Sequence, residues 1–172
     1  LGPYPDFYGV NATGTENVIE ACRAQGIPKL IYTSSPSVVF DGTNQCGVDE
    51  STPYPDHYES PYPETKALAE QRVIAANGPD LMTTSLRPHL IFGPEDNHLL
   101  PGLIERAKRG LVPQVGDGRN RVDLTYVAAL DCWGPAGDAA CGVVESGVVT
   151  FENTSSSRPP CEGALAWSLR LE

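Results

Sequence analysis

PYPETKALAEQ, residues 61–71, sets a helix between two strands, and the fold class follows from that order. Tyr62 and Lys66 stand four apart, so on a helix the phenol and the ammonium share one face. Pro63 confines them to the first turn, where its missing N–H costs no intrahelical bond. The spacing predicts a helix from about Tyr62 to the stop signal Asn77-Gly78-Pro79. Ala67, Leu68, Val73, Ile74 and Ala75 are its expected buried side, and Glu64, Glu70, Gln71 and Arg72 its solvated side. Upstream, Leu30-Ile31-Tyr32 forms a short apolar run before Thr33-Ser34-Ser35, the pattern of a strand buried in a parallel sheet. Downstream, Met82 to Leu86 reads as a second strand ending at Arg87-Pro88.

Working outward, residues 11–25 read as a helix with Val18, Ile19 and Cys22 as its apolar stripe, ended by Gly26. Residues 41–61 are a long loop rich in Gly, Asp, Pro and Tyr, and Leu99 to Arg109 form a helix closed by Gly110. This alternation predicts an α/β fold with a doubly wound parallel sheet, in which ligands sit beyond the carboxyl ends of the strands. Ser35, Pro88 and the loop leading into Tyr62 all fall at that edge. Past Ala128 the pattern weakens. Residues 131–147 lack periodicity and SSSRPP at 155–160 reads as a loop; Gly147 to Phe151 is the expected strand, and Gly163 to Leu171 the expected short helix.

The 172 residues suffice for one domain with a real core, and the composition is that of an ordinary soluble protein. A net charge of −10 argues against nucleic acid and against anionic membrane surfaces, since both attract basic proteins. No apolar run approaches the roughly 20 residues of a spanning helix, and no signal peptide opens the chain. Cys22, Cys46, Cys132, Cys141 and Cys161 form an odd set without CxxC spacing, which indicates neither a disulfide framework nor a zinc site. The expected compartment is a reducing cytoplasm.

Tyr62 and Lys66 admit two readings. The phenol packs at a helix end while the ammonium is solvated, or the pair does chemistry. A cation beside a phenol stabilises the phenolate, and a phenol so tuned exchanges a proton with a substrate hydroxyl or carbonyl.

Five stretches in order carry a resemblance to a known family: NATGTENVIEAC (11–22), LIYTSSPSVVFDG (30–42), PYPETKALAE (61–70), LRPHLIFGPED (86–96) and VGDGRNRVDLTYV (115–127). Together they resemble the extended short-chain dehydrogenase/reductase family, and within it the 3β-hydroxysteroid dehydrogenase/isomerase branch with its sterol-4α-carboxylate 3-dehydrogenase members. The resemblance implies an oxidoreductase dependent on NAD or NADP, acting on a hydrophobic, steroid-like alcohol or ketone. It implies no nucleic-acid partner and no membrane span, and it allows a homodimer. By the same resemblance Tyr62 is the catalytic tyrosine, Lys66 the lysine that favours its phenolate and holds the nicotinamide ribose, and Ser35 the hydroxyl bonded to the reacting oxygen. Asn11 matches an asparagine that supports a proton path to the lysine or contacts the cofactor. Pro88 and His89 match the loop covering the nicotinamide, His89 through its backbone. The residues alone leave Ser35 open to capping a turn and Asn11 to capping a helix.

The chain departs from that family in two ways. It contains no G-x-G-x-x-G or G-x-x-G-x-x-G; its nearest pair, Gly116-Asp117-Gly118, follows no expected strand. In the family that glycine turn receives the pyrophosphate at a helix N-terminus. The start LGPYPDFYGVNATGT matches the family's fourth helix, so a partial Rossmann-like doubly wound sheet lacking its first βαβ units is expected. Residues 1–127 would hold the C-terminal half of the catalytic domain with the start of a small substrate region, and 128–172 a tail unlike the family's. Two alternatives remain: a nucleotide-sugar epimerase or dehydratase with the same Ser–Tyr–Lys set, and an inactive fragment unable to hold the dinucleotide.

Overall fold

The computed structural model describes residues 2–45, 48–97, 100–111 and 124–127, together with the strands 147–152 and 168–169. The chain opens with a helical rod in three parts: α1 (Tyr4–Phe7), a π-helical stretch (Tyr8–Thr13) and α2 (Gly14–Ala24). Phe7 and Gly14, at the two joints, keep right-handed helical dihedrals, so the rod is unbroken and starts earlier than the expected residue 11. Gly26, at φ +65°, ends it in the left-handed conformation glycine adopts most cheaply.

β1 (Lys29–Thr33) follows, then α3 (Pro61–Ala75) as a crossover, then β2 (Met82–Arg87). β1 and β2 are parallel, with Lys29 opposite Met82 and Thr33 opposite Leu86, and the Ser34 amide extends the pairing to the Leu86 carbonyl at 2.6 Å. β5 (Gly147–Glu152) lies parallel on the other side of β2, Thr84 opposite Gly147. This parallel sheet with its crossover helix is the expected α/β class, Rossmann-like in architecture. β3 (Ile91–Phe92) and β4 (Thr125–Tyr126) form a separate parallel pair, and α4 (Leu100–Lys108) lies between them in sequence.

Three expectations are corrected. Ser168–Leu169 are strand β6, antiparallel to Phe151–Glu152, and not part of a helix; the rest of the expected 163–171 helix lies outside the described residues. Residues 131–146 and 155–160, and the glycine pair of Gly116-Asp117-Gly118, also lie outside them. On α3 the buried side is Thr65, Ala67, Ala69, Glu70 and Val73, while Ile74 is exposed. Glu70, expected in water, is fully buried. On α2, Ile19 is buried but Val18 is half exposed.

The core has two parts, one at each end of α3. Ile19, Val73, Ala76 and Leu81 cluster beneath α2, with Cys22, Leu30 and Tyr32 packed on them. Val38, Val39 and Ala67 form the other cluster, closed by Phe40, Val48, Tyr54 and Tyr58 from the loop that follows β1. The start of α3 is thereby held over the carboxyl edge of the sheet. Pro61 and Pro63 occupy its first turn after the extended Ser60, where neither proline breaks a helical bond.

Candidate active site

β1 and β2 deliver Ser34-Ser35 and Pro88-His89 to the same edge of the sheet. Ser35 is extended (φ −155°, ψ 146°) and its hydroxyl accepts from the Ser37 amide at 3.3 Å, capping a 3₁₀ turn over Pro36–Val39. The same oxygen lies 2.8 Å from the Ser37 hydroxyl. Capping therefore does not remove Ser35 from the groove: Ser35, Ser37, Phe40, Pro88, His89 and Leu90 line a cavity of about 310 Å³. Its walls are mainly apolar, with two hydroxyls at one end. The His89 carbonyl is engaged from the other side, accepting from the Thr125 amide at 3.2 Å, which ties this segment to β4.

Tyr62 and Lys66 do not line that cavity. They come to the sheet edge from the first turns of α3. The Lys66 ammonium donates to the Thr33 carbonyl at 2.7 Å and sits 4.3 Å above the centre of the Tyr32 ring. Burial holds Lys66 below the ordinary lysine value, with the Glu70 carboxylate one turn along opposing it. Tyr62 remains 43% exposed, its ring edge-on to Phe7 with centroids 6.5 Å apart. Tyr62 is thus exposed one helical turn ahead of Lys66, whose ammonium is anchored on Thr33.

Asn11 lies in the π-helical stretch and its amide donates to the Thr65 hydroxyl at 2.9 Å. Thr65 in turn donates to the Pro61 carbonyl at 2.7 Å. The asparagine therefore braces the first turn of α3, the turn that carries Tyr62, rather than contacting Lys66 through a hydrogen bond of its own. Helical stretches of this π kind recur at functional sites because the widened turn re-aims a side chain.

Two contributors were not legible from spacing. Glu70 and Arg87 form an ion pair at 2.5 Å with side chains 0% and 2% exposed. Glu70 also accepts from the Tyr54 hydroxyl at 2.6 Å and the Ser85 hydroxyl at 3.0 Å. Burial alone would raise the Glu70 carboxyl, but the hydrogen bonds and charge of Arg87 outweigh it and hold the group below the ordinary glutamate value. The available signal was positional: Glu70 follows Lys66 by four on the same helical face, and Arg87 ends an otherwise buried strand. Among the described residues no cluster of His, Cys, Asp or Glu could hold a metal ion, and no helix is long and apolar enough to cross a membrane.

Comparison with known proteins bears on the family and the fold. The family described as 3-beta hydroxysteroid dehydrogenase/isomerase matches residues 3–132. A 2-alkyl-3-oxoalkanoate reductase of Stenotrophomonas maltophilia is 51% identical over 129 residues, 73% of this chain and 39% of that protein. A decarboxylating sterol-4-alpha-carboxylate 3-dehydrogenase of Bos taurus is 48% identical over 124 residues, 70% of this chain and 35% of that protein. The chain thus spans little more than a third of these relatives. Among solved structures, Thermus thermophilus UDP-glucose 4-epimerase in complex with NAD matches with a TM-score of 0.56 at 26% identity, over 83% of this chain and 48% of that one.

Proposed function

The chain belongs to the 3-beta hydroxysteroid dehydrogenase/isomerase family, and on that premise we propose that it serves an NAD(P)-dependent oxidoreductase that interconverts a secondary alcohol and a ketone on a hydrophobic carboxylic acid. The observation that carries this reading is the anchoring of Lys66 on the Thr33 carbonyl at the carboxyl edge of β1, one helical turn after the exposed Tyr62. The two relatives refine the substrate. One is named for a 3-oxo acid alkylated at carbon 2, the other for a reaction at carbon 3 beside a carboxylate on carbon 4. In both names the reacting carbon lies β to a carboxylate, next to a substituted carbon. An α-substituted β-hydroxy or β-oxo acid is therefore the substrate class to test, and the apolar groove beside Ser35 suits its hydrocarbon part.

The residues present suit the nicotinamide end of such a cofactor. Lys66 spends one N–H on Thr33 and keeps others to reach a ribose hydroxyl. The backbone beside Pro88 and His89 borders the same edge. No glycine turn of the dinucleotide kind occurs in the 172 residues to receive a pyrophosphate. When bound, a nicotinamide supplies the carbon that accepts or gives up hydride. The chain's own part is acid–base work: the Tyr62 hydroxyl exchanges the proton of the reacting oxygen, the Ser35 hydroxyl orients that oxygen, and the Lys66 ammonium stabilises negative charge on the phenol oxygen.

The test is to mix the protein with NAD or NADP and a 3-hydroxy acid carrying a long alkyl group on carbon 2, and to follow reduced nicotinamide. Reduction that needs both the hydroxyl and the carboxylate supports the reading. No reduction by a preparation shown to bind the cofactor sinks it. The nucleotide-sugar alternative is separated in the same assay by offering a uridine diphosphate sugar.

A further inference from the structure

Tyr32 and Thr33, the last two residues of β1, both meet the Lys66 ammonium: Thr33 through its carbonyl at 2.7 Å, Tyr32 through the face of its ring at 4.3 Å. The hydrogen bond alone leaves the ammonium free to swing about the N–H···O axis, because a lysine head is a point charge on a flexible four-carbon stem. A ring face beneath it removes that swing, since a cation within about 6 Å of an aromatic centroid is attracted by the ring quadrupole. The ring itself cannot follow a moving ammonium. It is packed against the Ile19, Val73, Ala76 and Leu81 cluster.

The Tyr32 hydroxyl has no comparable use. It is buried near Thr15 without a hydrogen bond of good geometry. Burial is the main cause and pushes it up to about 12, outweighing the opposing effect of Thr15, with a lesser upward push from the Glu70 charge. A phenol so placed stays neutral and is no rival to Tyr62 for a substrate proton. What Tyr32 offers Lys66 is its face.

We propose that Tyr32 is a positioning residue whose ring seats the Lys66 ammonium at the carboxyl edge of β1, leaving the remaining N–H groups aimed at a cofactor ribose hydroxyl, and that its own hydroxyl is dispensable. This rests on the reading of Lys66 given under the proposed function. Tyr32 acts through Lys66 and touches no reacting atom.

The test uses the whole chain, whose three lysines are Lys29, Lys66 and Lys108. Reductive dimethylation with ¹³C keeps each ammonium charged and leaves it one N–H, enough for the Thr33 bond. It gives each lysine its own methyl signal, and Lys66→Arg assigns the one of interest. Nuclei above a ring face are shielded, so the Lys66 signal should lie upfield of Lys29 and Lys108 in the wild type. It should stay there in Tyr32→Phe, which keeps the face and loses the hydroxyl. In Tyr32→Met, which fills the space with an unbranched apolar chain, it should return to the position of the other two. A wild-type signal coincident with the others, or one that Tyr32→Met leaves shielded, overturns the seat. Should Tyr32→Met fail to fold, the wild-type and Tyr32→Phe spectra decide alone. In the unmodified protein, NAD affinity measured by titration calorimetry should be alike in the wild type and Tyr32→Phe and several-fold weaker in Tyr32→Met, and equal affinity in Tyr32→Met would overturn the positioning role. If the unmodified wild type binds no NAD while the shielding is intact, the failure falls on the cofactor reading and leaves the seat standing.

Discussion

Arg87 grips Glu70 from the last position of β2, one residue before the Pro88–His89 wall of the groove and one helical turn from Lys66. The guanidinium approaches through Nε at 3.1 Å to both carboxylate oxygens and through Nη2 at 2.5 Å to Oε1. This buried pair therefore ties the Tyr62–Lys66 helix to the strand that leads into the groove.

Removing one partner should be far worse than removing both. Glu70→Ala leaves a buried, uncompensated guanidinium and should cost about 3–5 kcal/mol, read from denaturant unfolding. Replacing both together, Glu70→Met with Arg87→Met, should cost less than the single change, because two desolvation costs disappear together, the residual loss coming from the Tyr54 and Ser85 hydroxyls left without their acceptor. If the double variant is as unstable as the single one, the pair is a net stabiliser and this account of it is wrong.

The pair also predicts how the fold responds to acid. Glu70 has a folded pKa held below its ordinary value, mainly by Arg87 overcoming burial. A depressed carboxylate binds fewer protons folded than unfolded, so its stabilisation is complete above the ordinary glutamate range and is lost as pH falls through the folded value. Stability measured downward from pH 6 should drop, and Glu70→Gln should flatten that drop. An unchanged acid slope in Glu70→Gln would assign it to other carboxylates.

Tyr62→Phe removes a proton carrier and keeps the ring beside Phe7. In a preparation that turns over, the rate should fall roughly 10²–10⁴-fold, the usual cost of a lost acid–base group. Cofactor affinity should barely move. Near-normal turnover would reduce Tyr62 to a packing residue.

Gly93, just after β3, is a packing constraint that leaves no room for a methyl group. A Cβ there would run into Cγ1 of Val127 and lie 3.2 Å from its Cβ, and a β-branched side chain is stiff. Gly93→Ala should cost about 1–3 kcal/mol of local overpacking, seen as faster amide exchange at Thr125 and Tyr126. Val127→Ala in the same chain should restore protection; if it does not, the strain lies elsewhere.

The helix–strand order was legible because each element carries its own period and its own stop: Gly26 ends α2, Asn77-Gly78-Pro79 follows α3, and Arg87-Pro88 closes β2. Burial within α3 was not, and the reason is specific. Charge marks a residue for water unless a partner meets it, and the partner of Glu70 is seventeen residues on, in a strand whose register no local pattern reveals. The same holds for Tyr32, whose ring reads as core from sequence and meets Lys66 only because α3 lays the ammonium across it. At Ser168–Leu169 a two-residue strand overrode helical propensity by pairing with β5, an instance of tertiary context winning over a weak local preference.

The π-helical stretch at Tyr8–Thr13 works as a gear offset in the first rod. Each residue of an α-helix turns the chain by about 100°, so a widened turn that takes in one extra residue rotates everything after it by about that angle relative to everything before. One rod can then address both ends of α3. Ahead of the offset, the Tyr4 hydroxyl meets Glu64 and Phe7 meets Tyr62; behind it, Arg72 pairs with Glu16 and Arg23 reaches the Ala76 carbonyl. A straight α-helix of the same sequence could satisfy one set of these partners and would turn the other toward solvent. Deleting a single residue between Tyr8 and Thr13 is thus a rotation rather than a shortening, and it would take Asn11 away from Thr65 without touching either residue.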